Sequence, residues 1–195
     1  MAYSLDPISA DCYPGTSVLV NKFDIREEEK LNQVESVLAS ARYAEWLGAP
    51  KADSFDFDHY KSIHKYLFSD LYEWAGQVRR VNISKKGTRF SPADMIEAQG
   101  ALIFARLKEC NNFKGLPFDE FVEEIVDFYC MTNELHPFRE GNGRTQRVFL
   151  TQLIQHAGYD INFADMDTDL LMIATIQASQ GVTDLLKELF RQSIK

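Results

Sequence analysis

Cysteine and positive charge are both scarce in the 195-residue sequence. Its three cysteines, Cys12, Cys110 and Cys130, are odd in number and widely spaced, and no CxxC pair occurs. This pattern argues against a disulfide scaffold or a metal site and favours idle thiols in a reducing compartment. Lysine and arginine number 21 against 29 aspartates and glutamates, which gives a net charge of −8. Because a general nucleic-acid binder needs a basic face, we predict no direct nucleic-acid partner.

Long apolar runs, repeats and linkers are missing as well. No stretch near the N-terminus is long and apolar enough for a signal peptide or a membrane span, so the sequence predicts a cytoplasmic protein with no membrane partner. There is no internal repeat, low-complexity tract or interdomain linker. With 45% hydrophobic residues the chain can bury one sizeable core, and we predict a single domain over residues 1–195.

Helical periodicity is present through most of the chain. Apolar residues recur at helical spacing, which predicts an all-α fold of about seven helices. The N-cap pattern Ser91-Pro92-Ala93-Asp94 starts one helix, and Gly158 is placed to cap another. The predicted helices cover residues 28–46, 58–72, 91–110, 119–134, 143–156, 167–178 and 182–194.

Residues 78–91 depart from the helical pattern. Side chains alternate along residues 78–83, and Lys85-Lys86-Gly87-Thr88 has the composition of a turn. The segment therefore predicts a β-hairpin. Because a two-stranded hairpin is barely stable alone, it must lie against the helices or await a partner.

The most informative segment is HPFREGNGRTQR, residues 136–147. Pro137 ends one helical run and a second run follows, so the segment is a loop that leads into a helix. The first N–H groups of a helix have no intrahelical partners and, together with the helix dipole, attract an anion. Gly141 and Gly143 allow left-handed backbone and let phosphate oxygens approach without meeting a Cβ. The segment therefore predicts a phosphate site.

The side chains of this segment also suit phosphate chemistry. Asn142 adds a donor, and Arg144 and Arg147, three apart on the helix, can grip a polyphosphate from one face. His136 can take a proton near neutral pH, and Glu140 is a hard oxygen ligand suited to Mg²⁺. Neither a GxxxxGK[ST] nor a GxGxxG pattern occurs, so the phosphate grip is of another type.

The segment resembles the signature HPFx(D/E)GNGRxxR of the Fic (filamentation induced by cAMP) family and matches it completely. Residues 67–76, LFSDLYEWAG, are similar to the family's segment before its hairpin, and Tyr13-Pro14-Gly15 is similar to the start of small bacterial Fic toxins. The resemblance covers residues 12–158. It implies the Fic fold: a helical domain with a core at 12–158, a hairpin flap over the active site at 78–91, and the signature loop and helix at 136–157.

The resemblance implies a protein adenylyltransferase, which transfers AMP from ATP to a serine, threonine or tyrosine hydroxyl of a target protein. His136 would be the general base, and Glu140 would hold Mg²⁺. Phe138 is expected in the core as a structural residue. The residues implied to bind the nucleotide are Gly141, Asn142, Gly143, Arg144 and Arg147.

The hairpin has an implied role of its own. In the Fic family an extended target segment pairs with the exposed edge of the flap, so that backbone bonds set its register. The resemblance implies docking at Ile83, Ser84 and Lys85. The alternative is an ordinary surface ribbon.

Regulation is implied by a missing motif. Many Fic enzymes are inhibited by a helix carrying [S/T]xxxE[G/N], whose glutamate pairs with the second arginine of the signature. The one such spacing here, Ser69 to Glu73, is followed by Trp74. The chain thus resembles toxins that have a separate small antitoxin, and we expect such a chain to supply a glutamate to Arg147. Targets of similar toxins include type II topoisomerase subunits, and a subunit of this kind is one candidate target.

Two other functions stay open. Relatives with lysine at the position of Gly143 phosphorylate their targets, which Gly143 argues against here, whereas others transfer UMP or phosphocholine. The pocket for the base cannot be read from the sequence, so these transfers remain alternatives. A non-catalytic, nucleotide-responsive binding protein is the second alternative.

Overall fold

A computed structural model describes residues 4–5, 11–47, 54–85 and 88–195 of the chain. In these ranges the chain forms seven α-helices and three short strands. None of the described helices is long and apolar enough to cross a membrane. The helices are α1 (Glu28–Leu47), α2 (Phe57–Phe68), α3 (Ile96–Glu109), α4 (Phe118–Leu135), α5 (Asn142–Ala157), α6 (Thr168–Ala178) and α7 (Asp184–Ser193).

The helical class and the number of helices predicted from the sequence are confirmed. The helix boundaries differ most from the predicted ones at the end of α2 and at the start of α3. α2 stops at Phe68, because the next apolar residues, Leu71 and Tyr72, enter the core from turns that follow the helix. The helix expected from residue 91 begins instead with a 3-10 turn, Ala93–Met95, before α3. Gly158 caps α5 in the left-handed conformation as predicted, with φ 100°.

The strands form one antiparallel sheet in the order β1 (Ser4–Leu5), β2 (Ile83–Lys85), β3 (Thr88–Arg89). The predicted hairpin is present as β2 and β3, with Ser84 opposite Arg89, but it is shorter than the expected residues 78–91, because residues 78–82 do not form a strand. Two of the predicted turn residues, 86 and 87, lie outside the described residues. The third strand, β1, was not expected; it pairs along the other side of β2, with Ser4 opposite Ser84.

The aromatic core lies around α5, the helix that follows the signature loop. The Phe149 side chain of α5 is fully buried, and its ring centroid lies 5.3 Å from Tyr60, 5.4 Å from Phe104 and 5.7 Å from Phe128. These rings come from α2, α3 and α4. Because full burial of such a side chain stabilises a fold by about 1.5–3 kcal/mol, the three helices hold α5 firmly. The position of α5 is therefore fixed by its packing in the core.

Candidate active site

The signature loop connects α4 to α5 and has an unusual backbone at both ends. His136 caps α4 in the left-handed conformation (φ 41°), and its N–H bonds to the carbonyl of Thr132. Gly141, just before α5, has φ 81°. A Cβ at Gly141 would lie 2.4 Å from the Phe68 ring, so glycine is required there by space as well as by conformation. A left-handed histidine is uncommon, and such conformations cluster at functional sites.

Asn142 organises this loop through its side chain. Its Oδ1 accepts the N–H of Phe138 at 2.8 Å, and its Nδ2 donates to the carbonyl of Phe138 at 2.7 Å. The sequence suggested that this amide donates to phosphate; here both of its groups are engaged by the loop. The backbone N–H groups of Asn142, Gly143 and Arg144 occupy the first turn of α5, where no intrahelical acceptor exists. They are the N–H groups at which the sequence predicts anion binding.

Phe138 lies in the core, as predicted, with no exposed surface. Its ring stacks on His64 at 3.8 Å between centroids. Gly76 donates its N–H to His64 Nδ1 at 2.8 Å, so His64 Nε2 carries the proton and donates to the carbonyl of Glu140 at 3.0 Å. Burial lowers the pKa of His64 to about 3, which keeps the ring neutral. His64 thus stabilises the signature loop, through its stacking on Phe138 and its hydrogen bond to Glu140.

His136 is the titratable group at the centre of the site. Its side chain is 7% exposed, and its ring stacks on Phe90 at 3.7 Å. Nδ1 lies 2.9 Å from the carbonyl of Asn133, which can only accept, so Nδ1 carries the proton and Nε2 is the basic nitrogen. Burial lowers the pKa of His136 to about 3, and the charges of Lys85 and Arg79 also lower it. At neutral pH the ring is therefore neutral and Nε2 is unprotonated, the state a general base requires.

Two signature side chains of opposite charge meet beside the loop. Glu140 Oε1 accepts the N–H of Gly141 at 2.8 Å, and Arg144 Nη2 lies 3.6 Å from the same oxygen. Burial raises the pKa of Glu140, and the nearby Glu35 carboxylate raises it further. Arg144 also pairs with Glu35 and lies over the Phe68 ring at 4.7 Å. These groups border a cavity of about 230 Å³, which Lys85 of β2 also lines.

Arg147 lies one turn further along α5 and has a different environment. Among the described residues its side chain makes no hydrogen bond and no ion pair. Burial lowers the pKa of its guanidinium. It borders a cavity of about 550 Å³, together with Arg144 and with polar and apolar residues of α1, α6 and the segment before α6, among them Ala39, Phe163 and Leu171. A cation next to an apolar groove suits a ligand that carries both a negative group and an apolar face.

Comparison with known proteins settles the family. The model of the Fic/DOC family matches residues 54–154. The chain belongs to the Fic/DOC family. It is 37% identical to "Probable protein adenylyltransferase y4lH" of Sinorhizobium fredii over 90% of this chain and 89% of that protein. It is 38% identical to "Protein adenylyltransferase VbhT" of Bartonella schoenbuchensis over 93% of this chain, which spans only 38% of the length of VbhT.

Solved structures of Fic domains confirm the predicted Fic fold. The BepC protein of Bartonella tribocorum, solved with bound AMPPNP, has a TM-score of 0.89 at 29% identity and covers 95% of this chain and 96% of that one. The N-terminal Fic domain of a Bartonella quintana effector, solved with bound ADP, has a TM-score of 0.89 at 28% identity, with 95% and 94% covered.

The described residues of this Fic/DOC site do not by themselves form a complete set of magnesium ligands. The described residues hold no group of three or more histidines, cysteines, aspartates or glutamates placed for a metal. Mg²⁺ commonly takes one or two protein carboxylates and completes its shell with water and substrate phosphates. The carboxylate of Glu140 beside the N-terminus of α5 suits that mode of binding.

Sequence reasoning missed two residues that shape the Fic/DOC site. Arg79, expected in a hairpin strand, is 3% exposed, and its guanidinium donates to the carbonyls of Val81, Ser91, Leu135 and His136. Glu35 of α1 is 6% exposed and pairs with Arg144. Neither lies in a recognisable motif, and each contacts the site across more than 50 residues of sequence, so no local pattern could have revealed it.

Proposed function

We propose that the chain is a protein adenylyltransferase that transfers AMP from ATP to a hydroxyl group of a target protein. One observation carries the proposal: a buried histidine with Nε2 unprotonated lies on the loop that ends at the anion-binding N-terminus of α5. The relatives named above support the enzyme class, a nucleotidyltransferase, because they are named protein adenylyltransferases. The solved relatives with AMPPNP and ADP support an adenine nucleotide as the substrate.

The reaction follows from the chemistry of these groups. The target oxygen attacks the α-phosphorus, the bond from that phosphorus to the bridging oxygen breaks, and pyrophosphate leaves. His136 Nε2 takes the proton of the hydroxyl. Backbone N–H groups at Asn142 and Gly143 bind phosphate oxygens. The space beside Gly143 is open apart from Arg147 Nη1 at 3.5 Å from a Cβ placed there, whereas the space beside Gly141 is filled by Phe68, contrary to the expectation that phosphate approaches there. Arg144 contacts the β-phosphate and Arg147 the γ-phosphate. Glu140 would hold Mg²⁺, which would supply positive charge to the bound phosphates.

The nucleobase has a candidate position on the other side of His136. A cavity of about 170 Å³ lies between β3, α4 and α6. Phe90 and Asn133 line it, and these two residues also contact the His136 ring. Its lining has both polar and apolar residues, which suits a heterocyclic base. Competition of UTP and CDP-choline with ATP tests which base the cavity prefers.

Transfer of labelled phosphate tests the proposed function. The purified chain is incubated with Mg²⁺, a cell lysate and ATP labelled at either the α- or the γ-phosphate. We expect label in a protein band from the α position alone. The position of the band gives the size of the target, which can be compared with the size of a type II topoisomerase subunit. Label from the γ position alone would mean a kinase-like reaction. No label from either would favour UMP or phosphocholine transfer, which labelled UTP and CDP-choline then test, or a binding role.

Target docking differs from the expectation in one respect. Ile83, Ser84 and Lys85 form the middle strand of the sheet, so the edge expected to be exposed is paired with Ser4–Leu5 of the same chain. Ile83 is also buried. We propose that a target strand docks at β2 by displacing β1. The target segment and β1 then compete for the same backbone edge of β2.

Deletion of residues 1–5 tests this competition. At about 1 kcal/mol for a backbone hydrogen bond, loss of the β1 pairing raises the initial rate of target modification by about fivefold or more. The affinity for AMPPNP serves as the control. We expect it to stay unchanged, because β1 is not part of the proposed phosphate site. An unchanged rate of target modification would show that the target docks elsewhere.

We propose that a separate small antitoxin occupies the groove beside Arg147 and regulates the enzyme as part of a toxin–antitoxin pair. The groove of about 550 Å³ with an arginine at its border suits an amphipathic helix that carries a glutamate. The partner and the cytoplasmic location of the pair stay predictions from the sequence.

A variant of Arg147 tests the antitoxin. The chain is co-expressed with the small protein encoded beside it, and the affinity of the two proteins is measured. We expect Arg147→Ala to weaken this binding by about tenfold or more, because a buried charge pair between Arg147 and the partner's glutamate is lost. Arg191→Ala, which removes an exposed arginine paired with Asp119, serves as the matched control and leaves binding unchanged. Binding that is insensitive to Arg147→Ala and to loss of the partner's glutamate would exclude this arrangement.

A further inference from the structure

Glu35 is a buried acidic residue that neither the signature nor the family comparison explains. It lies on α1, and the residue is 6% exposed. We infer that Glu35 is a positioning residue for polyphosphate and metal binding: it holds the guanidinium of Arg144 away from the Glu140 carboxylate. The inference rests on the proposed function, since it assigns a role within that site.

The contacts of Glu35 occupy both of its carboxylate oxygens. Oε1 accepts from Arg144 Nη2, and Oε2 accepts from the hydroxyl of Tyr72. The Tyr72 ring is itself 1% exposed and stacks on Trp74 at 4.3 Å. The carboxylate is therefore fixed at a point between α1 and the first turn of α5.

Arg144 lies between the carboxylates of Glu35 and Glu140, and it is closer to that of Glu35. Its pair with Glu35 is a direct hydrogen bond, whereas Glu140 Oε1 lies 3.6 Å from the same nitrogen, beyond ordinary hydrogen-bond length. Nε and Nη1 of Arg144 make no hydrogen bond with the described residues. With Nη2 held by Glu35, those two groups can bind phosphate oxygens, because guanidinium presents five N–H donors in a planar fork.

Removing the Glu35 charge changes this balance in a definite direction. Glu140 is the other carboxylate within ion-pair distance of Arg144 among the described residues. Without Glu35, Arg144 closes on Glu140, and the pair competes with Mg²⁺ for the carboxylate and with phosphate for the guanidinium. A residue that served only the fold would weaken stability without changing the Mg²⁺ dependence of nucleotide binding.

The test measures AMPPNP affinity as a function of Mg²⁺ concentration by calorimetry. For Glu35→Gln we expect about tenfold weaker binding and a rise in the Mg²⁺ concentration needed for half-maximal binding. In an Arg144→Ala background the same substitution changes affinity less than twofold, because the group that Glu35 positions is gone. Glu29→Gln, an exposed glutamate of the same helix, serves as the matched control and binds as the unaltered chain does.

Tyr72→Phe is a milder second variant, which keeps the buried ring and removes only the hydroxyl that donates to Glu35. We expect it to weaken AMPPNP binding two- to threefold with the same shift in Mg²⁺ dependence, and it decides the matter if Glu35→Gln does not fold. Equal losses in both backgrounds, or an unchanged Mg²⁺ dependence in the folded variants, would overturn the inference and leave the proposed function intact. Absence of AMPPNP binding by the unaltered chain would overturn both.

Discussion

His136→Ala lowers the rate of AMP transfer by about 10²–10⁴-fold, the usual contribution of a general base. The reason lies in the protonation of the ring: Nδ1 keeps its proton and donates it in a hydrogen bond to the carbonyl of Asn133, and burial holds Nε2 unprotonated at neutral pH. Alanine has no group that can accept the hydroxyl proton. The measurement is the initial rate of label transfer from α-labelled ATP at saturating nucleotide.

Two further variants separate the base from the backbone at this position. His136 has φ 41°, which strains alanine, whereas asparagine adopts this conformation readily. His136→Asn therefore keeps the loop and loses the base, and we expect a loss as large as that of His136→Ala. His156→Ala, an exposed histidine near the end of α5, is the control and keeps full activity. Transfer retained by both His136 variants would exclude the histidine as the base.

Arg79→Ala has the second large effect, and it acts first on stability. The guanidinium of Arg79 donates to four backbone carbonyls, including Val81 and Ser91 on the flap side and His136 on the loop side. Because hydrogen bonds to a charged group contribute about 1.5–3 kcal/mol and buried carbonyls without partners carry a desolvation cost, we expect a loss of about 3–5 kcal/mol. This corresponds to a decrease in Tm of roughly 10 °C.

The activity of the Arg79 variant shows whether the residue also serves the site. Below its Tm, Arg79→Ala loses about tenfold or more in transfer rate, since Arg79 holds the carbonyl of His136 at 2.8 Å and so fixes the loop. Arg79→Lys does not restore activity, because one ammonium group cannot reach four carbonyls in the plane of a guanidinium. Arg80→Ala, the exposed neighbour, is the matched control. A Tm equal to that of Arg80→Ala would contradict the account.

The sequence predicted the parts of the fold that depend on local patterns. The helices follow from apolar residues at helical spacing, and Phe138, Gly141 and Gly158 have the local roles that their residue types suggest. The position of the N-terminus of α5, where we propose that phosphate binds, follows from the glycines and the helix that comes after them. These features need no knowledge of distant contacts.

The features that the sequence did not predict all depend on contacts between distant segments. β1 is two residues long, which is too short to show a strand period, and it is defined by its pairing with β2. Glu35 lies on a helix rich in exposed glutamates, so nothing in the sequence distinguishes it from them. Asn142 has a donor that suits phosphate, but the tight loop brings Phe138 within its reach first.

Intact-mass and peptide mass spectrometry of the labelled target test the central claim most directly. The target is recovered after incubation with ATP, Mg²⁺ and either the unaltered chain or His136→Asn. We predict one serine, threonine or tyrosine peptide that gains the mass of an adenylyl group with the unaltered chain and stays unmodified with His136→Asn. A gain of a phosphoryl group, or an adenylyl group that appears equally with His136→Asn, would contradict the account.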